Sequence, residues 1–234
     1  MNYDHFAAAY VRGQIMKFGD TMSLDSITNR CITCPIDELT DDELVLLAEI
    51  GRNNDLKMYR FKEKESIPRV KKVIGFLKAF YPESLLDVGS GRGAFLFPFM
   101  RELPYVPVTS IDILPHRVDF LKTIGMGGIQ TLTAIQEDIC TWHIPSGSYD
   151  VVTMLEVLEH IPDAEKAAAN AYRIAKRFLV VSVPSKPDNN PEHIHLFTKD
   201  KLTSMFNSVG AEKISFDGVN GHLIAIISKG AENE

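Results

Sequence analysis

The sequence predicts an α/β fold. The expected architecture is a seven-stranded, mostly parallel sheet with helices on both faces, a C-terminal antiparallel strand pair and an N-terminal helical extension. Three observations lead there. From Ser84 onward, short apolar runs alternate with helical segments, the succession that yields parallel strands joined by crossover helices. A glycine-rich stretch, LLDVGSGRGAF, lies between the first apolar run and the helical segment after it. The last two runs, EKISFDG and HLIAIIS, are joined by a turn of Gly, Asn and Gly, which pairs them antiparallel.

Each element has its own justification. Residues 1–65 read as the helical extension. Within it LTDDELVLLAEIG carries a capping box from Thr40 to Glu43, an apolar stripe and Gly51 as a stop. In SIPRVKKVIGFLKAFYP, Ser66 can cap a helix and Pro68 suits its first turn. Val70, Val73, Ile74, Leu77 and Tyr81 fall on one helical face. Residues 66–234 then form the α/β domain. SLLDVG is the first strand. RGAFLFPFMREL is helical, with Pro98 expected to end or kink it. VPVTSID is the second strand and PHRVDFLKTIG a helix stopped by Gly125. IQTLTAI and SYDVVTML are the third and fourth strands, PDAEKAAANAYRIAKR a helix, FLVVSVP the fifth strand and TKDKLTSMFNSVG a capped helix ending at Gly210.

Composition narrows the function classes. The 234 residues, 45% hydrophobic and 24% charged, are enough for one full core plus an extension. The apolar runs are too short to span a bilayer, and the N-terminus has charges where a signal peptide needs an apolar segment. Three cysteines, an odd number, fit a reducing compartment, and the expected location is cytoplasmic. Cys31 and Cys34 form a CxxC without a second pair and read as incidental rather than as a zinc site. A net charge of −6 disfavours generic nucleic-acid binding. Basic residues do gather between Lys57 and Lys78, where a solvated helix face is the favoured reading and a local anion-binding surface the alternative.

Gly89, Gly91 and Gly93 let the backbone turn sharply and let a ligand approach the main chain beside a helix N-terminus. Gly89, Gly91 and Ala94 also satisfy the dinucleotide fingerprint GxGxx(G/A), so an NAD-dependent oxidoreductase is one reading. Other residues favour another. Asp87 precedes the first glycine by two positions, Asp112 ends the second strand, and Asp138 follows the third. With the closing antiparallel pair, this order resembles the class I S-adenosylmethionine-dependent methyltransferases, a Rossmann-like family, over residues 66–234. The resemblance implies S-adenosyl-L-methionine as cofactor. Gly89, Gly91 and Gly93 would line its methionine part and Asp87 would hold its amino group. Asp112 would bind the ribose, with Ile113 on the adenine. Asp138 and Ile139 would border the adenine, and Leu155 and Glu156 would flank the methyl donor.

The segment LEVLEH, straight after the fourth strand, adds Glu156, Glu159 and His160. This family often carries ExxEH there, commonly serving the turn into the next helix. Small-RNA 3′-terminal 2′-O-methyltransferases and some quinone-biosynthesis O-methyltransferases use a similar segment for a divalent metal. His193, four residues before Phe197-Thr198, resembles the distal histidine of the RNA group, and His195 is its alternative. Glu156, Glu159, His160 and His193 are therefore the candidate metal ligands, a mixed oxygen and nitrogen set. Without metal, His160 or His193 is the candidate general base. The four are expected to converge on one pocket, because loops at the ends of neighbouring strands share a crevice. Residues 1–65 are expected to cover the substrate site, and VPSKPDNNPEHIHLF to form a substrate loop. The leading reading is a methyltransferase acting at oxygen or nitrogen of a small molecule. The alternatives are a metal-dependent RNA-terminal methyltransferase and a catalytically silent protein of the same fold.

Overall fold

The computed structural model describes residues 1–62, 67–187 and 189–230. Ser66, expected to cap a helix, lies outside the described residues. In chain order the elements are α1 (Tyr3–Phe18), α2 (Asn29–Thr33), α3 (Asp41–Asn53), α4 (Pro68–Phe80), β1 (Leu85–Val88), α5 (Leu96–Glu102), β2 (Val108–Asp112) and α6 (Pro115–Met126). They continue as β3 (Leu132–Gln136), β4 (Tyr149–Leu155), α7 (Ala164–Ile174), β5 (Ala175–Pro184), α8 (Lys199–Ser208), β6 (Lys213–Val219) and β7 (His222–Ser228).

The sheet order is β3-β2-β1-β4-β5-β7-β6. Strands β1 to β5 pair in parallel, and β7 runs antiparallel to both of its neighbours. The order reverses between β1 and β4, so the crevice beyond the carboxyl ends of these two strands is the place for a ligand. β1 is buried along its whole length, as a central strand covered on both faces must be.

Two sequence expectations change in detail. Pro98 is the third residue of α5, where its missing N–H is one of the donors a helix start leaves unused, so it neither ends nor kinks the helix. Tyr81 is 72% exposed. It follows the last turn of α4 in the left-handed conformation, φ 47°, which swings it off the face that buries Val70, Val73, Ile74 and Leu77.

Residues 1–62 share one hydrophobic core with β1, α5 and α6. Helix α1 lies against α6 with almost no side chains between the backbones. A Cβ on Gly13 would stand 2.0 Å from the Thr123 carbonyl oxygen, and one on Gly127 would stand 1.7 Å from that of Ala9. Next to this contact, Phe6, Tyr10, Phe61, Phe97 and Phe120 pack ring on ring. Arg12, 3% exposed, donates to the Cys31 carbonyl at 2.5 Å and to that of Cys34 at 2.7 Å. Both cysteines are free and buried. The CxxC segment is thus held to α1 through its carbonyls.

Candidate active site

The glycine loop leaves β1 with Gly89, Gly91 and Gly93 at φ +68°, +57° and +79°, values that other residues adopt only under strain. The three differ in what surrounds them. A Cβ on Gly89 would stand 2.8 Å from Val157, and one on Gly93 would stand 2.5 Å from the Phe97 ring. A Cβ on Gly91 would meet only the Gly89 carbonyl oxygen, at 3.8 Å. Gly91 therefore faces open space while its neighbours are packed from behind.

Asp87, at the end of β1, is 2% exposed. The hydroxyls of Ser90 and Thr153 donate to its carboxylate at 2.5 and 2.7 Å. Burial pushes its pKa up to about 6, although the two hydroxyls pull the other way. An ammonium group is the partner such a carboxylate lacks.

Asp112 ends β2 and is 7% exposed. One oxygen accepts from the Leu114 amide at 2.9 Å, and the other is 3.4 Å from the Arg117 guanidinium. Beside it Ile113 is 62% exposed, an apolar side chain left open to solvent just after β2. Asp138 accepts from the Cys140 amide at 2.8 Å and so folds its own turn. Ile139 is buried, and its carbonyl accepts from Asn170 of α7 at 2.6 Å.

The residues after β4 divide into two groups. Glu159, His160 and His193 each offer a ligand atom, and these atoms lie within 4.8 Å of one another. The 3-10 turn Leu158–His160 presents the first two, with Glu159 fully buried. The polar loop after β5 brings the third. Amides of Ile194 and His195 donate to the Glu159 carbonyl at 3.0 and 3.3 Å. His160 Nδ1 lies 3.0 Å from the Glu192 carbonyl, a contact that makes Nδ1 the protonated nitrogen of the neutral ring and leaves Nε2 with its lone pair. His195 turns away, its Nε2 lying 3.0 Å from the Ile161 carbonyl.

Glu156 is outside that trio. Its Oε1 accepts from Ser182 at 2.8 Å and lies 3.6 Å from Arg69 Nε, while Oε2 lies 2.9 Å from His222 Nδ1. It follows the half-buried Leu155. Ser182 comes from β5, Arg69 from the first turn of α4 and His222 from the start of β7. Sequence reasoning named none of these three as site residues. Only His222 left a trace, as a polar residue opening an otherwise apolar strand directly after Gly221.

A family model described as a methyltransferase domain matches residues 59–215, about two thirds of the chain. The chain belongs to the S-adenosylmethionine-dependent methyltransferases. Among curated relatives, this methyltransferase is 24% identical over 127 residues to the demethylmenaquinone methyltransferase of Bacteroides fragilis, covering 52% of this chain and 51% of the other. It thus spans about half the length of that relative. It is 25% identical over 194 residues to the ribosomal RNA small subunit methyltransferase G of Lactococcus lactis, covering 69% and 78%. Among solved structures, the magnesium protoporphyrin IX methyltransferase of Synechocystis with bound SAH matches with a TM-score of 0.55 at 15% identity, covering 74% and 92%. Among the described residues no helix is long and apolar enough to cross a membrane.

Proposed function

We propose that this methyltransferase moves the methyl group of S-adenosylmethionine to an oxygen or nitrogen of a small molecule. The observation that carries the choice of acceptor is the character of the crevice beyond β4 and β5. Two acidic and imidazole clusters follow these strands, Glu156 with His222 and Glu159 with His160 and His193, where an RNA-binding surface would present lysine and arginine. Three of the basic residues of α4 face carboxylates. Arg69 faces Glu156, Lys72 pairs with Asp217 at 2.6 Å, and Lys78 pairs with Glu102 at 2.8 Å. The quinone precursor and porphyrin named for two of the similar proteins are small molecules.

In this reading Asp87 holds the cofactor's ammonium group, and Gly89, Gly91 and Gly93 line its methionine part. Asp112 takes the ribose hydroxyls, Ile113 lies against the adenine, and Asp138 and Ile139 border it. Methyl transfer is an in-line displacement at a sulfonium, so the chain's main task is to align nucleophile and methyl carbon. In the same reading residues 1–65 and the loop after β5 would cover the acceptor side. The trio of Glu159, His160 and His193 fits a divalent cation. A buried carboxylate next to two imidazoles, one ring oriented by a loop carbonyl, is a donor set for Mg²⁺, Mn²⁺ or Zn²⁺. Such an ion would hold an acceptor diol and make its hydroxyl more acidic.

The test combines thermal shifts and methyl transfer. S-adenosylhomocysteine should raise the melting temperature, equivalent to about 2.7 kcal/mol at a hundredfold excess over Kd, and NAD should not. Methyl-labelled cofactor should label a small-molecule extract and leave total RNA unlabelled. Label confined to RNA would overturn the choice of acceptor.

A further inference from the structure

We propose that His222 is the general base that takes the acceptor's proton, and that Glu156 is the positioning residue that fixes its ring. This rests on the reading of the acceptor as an O–H or N–H nucleophile, and it moves the base away from His160 and His193.

Three observations converge. First, the geometry is that of a carboxylate–imidazole pair. Glu156 Oε2 lies 2.9 Å from His222 Nδ1, within ion-pair distance, and Nδ1 is buried with no aligned hydrogen bond of its own, so this carboxylate is the acceptor within reach of a proton on Nδ1. The side chain as a whole is 29% exposed, and that exposure lies away from the buried Nδ1. A carboxylate at Nδ1 selects the tautomer with the proton on that nitrogen and leaves the Nε2 lone pair facing outward. Second, the carboxylate cannot wander. Ser182, itself fully buried, donates to Oε1 at 2.8 Å, and Arg69 stands 3.6 Å from the same oxygen. Third, Glu156 has a left-handed backbone, φ 58°, in a position where glycine would be unstrained. Strain of this kind persists where a particular side chain is needed. The site is the right one for the role, because Glu156 directly follows β4 at the crevice and His222 opens β7 opposite Pro184, the last residue of β5.

The step balances without any further reagent. The acceptor's O–H or N–H bond breaks and its proton passes to Nε2 of His222. The electron pair left on the acceptor forms the bond to the methyl carbon. The carbon–sulfur bond breaks toward sulfur, and the sulfonium becomes the thioether of S-adenosylhomocysteine. The imidazolium is held by the Glu156 carboxylate until it releases its proton to water.

Two measurements on the full chain test this. The first is the tautomer of His222, read from ¹⁵N–¹H correlation spectra at pH 8 with S-adenosylhomocysteine bound. The wild type should show Nδ1 protonated and Nε2 bare, and Glu156→Gln should shift the ring toward the Nε2–H form. A wild-type Nε2–H ring would overturn the proposal. The second is labelled methyl transfer to 3,4-dihydroxybenzoate as probe. His222→Gln should lower kcat by roughly 10²–10⁴-fold, with the Kd for S-adenosylhomocysteine held within about twofold. An unchanged kcat would also overturn the proposal. A wild type that does not methylate the probe would count against the small-molecule reading alone, and the tautomer would then decide the role of His222.

Discussion

Replacing Asp87 by Asn removes the carboxyl group that burial holds at a pKa of about 6, against an ordinary value of 3.8. A carboxyl group raised in the folded state is harder to ionise there than in the unfolded chain. Its contribution is therefore neutral below about pH 4 and becomes progressively destabilising as pH climbs through 6, where it levels off. At 1.36 kcal/mol per pH unit, a rise from 3.8 to about 6 makes the full effect on the order of 3 kcal/mol. Asn has the same shape and keeps hydrogen-bonding partners in the hydroxyls of Ser90 and Thr153, but it never ionises. The unliganded Asp87→Asn variant should match the wild type near pH 4 and exceed it by roughly 1–3 kcal/mol at pH 8. The same variant should lose most of its affinity for S-adenosylhomocysteine, because the charge that stresses the empty site is the charge that holds the ammonium group. Urea titrations of both proteins at several pH values, paired with calorimetric binding, measure the two effects. A stability difference that stays constant between pH 4 and 8 would refute the placement of a buried, ionisable Asp87 in this role.

Gly91→Val should abolish S-adenosylhomocysteine binding in calorimetry while the circular dichroism spectrum stays native, since its Cβ would enter the space in front of the loop. Asp112→Ala should weaken the cofactor by about 1.5–3 kcal/mol, the range for hydrogen bonds to a charged group. An unchanged Kd would mean that another residue holds the ribose. Glu159→Ala should eliminate any divalent metal found in the purified wild type by elemental analysis, whereas Glu156→Gln should leave metal content as it is. Gly127→Ala should lower the stability measured by urea titration by about 1–3 kcal/mol, the usual effect of overpacking, because the Ala9 carbonyl occupies the place of the new methyl group.

The central strands were legible because a sheet covered on both faces needs short, continuous apolar runs, whereas the edge strand β6 alternates, has no buried residue and was legible from the turn that joins it to β7. Helix α3 was legible from its capping box, which forms between Thr40 and Glu43. Helix α1 also starts on a capping box, between Asn2 and His5, but no amphipathic stripe follows it. Its residues Phe6 to Gly13 are buried all round, so it lacks the polar face that makes a surface helix recognisable. In the site, Glu159, His160 and His193 could be grouped because loops after adjacent parallel strands meet. The partners of Glu156 could not. Arg69, Ser182 and His222 come from three distant elements, and only the antiparallel return of β7 carries His222 back to the crevice. A serine inside an apolar strand and a histidine at the start of another are ordinary sights in a sequence until the register of the sheet is known.

The backbone contact between α1 and α6 gives this protein an unfavourable order of events during synthesis. The first helix leaves the ribosome early, but its docking surface at Thr123 and Gly127 is translated more than a hundred residues later. At about 5–20 residues per second, the delay is roughly 6–20 s. Throughout it, a segment built to be buried on every side has nothing to lie against, since the sheet that carries α6 is unfinished. The nascent helix is therefore a natural client for a chaperone. A fusion partner placed ahead of Tyr3 would have to leave that late docking free, or the completed sheet would close without its first helix.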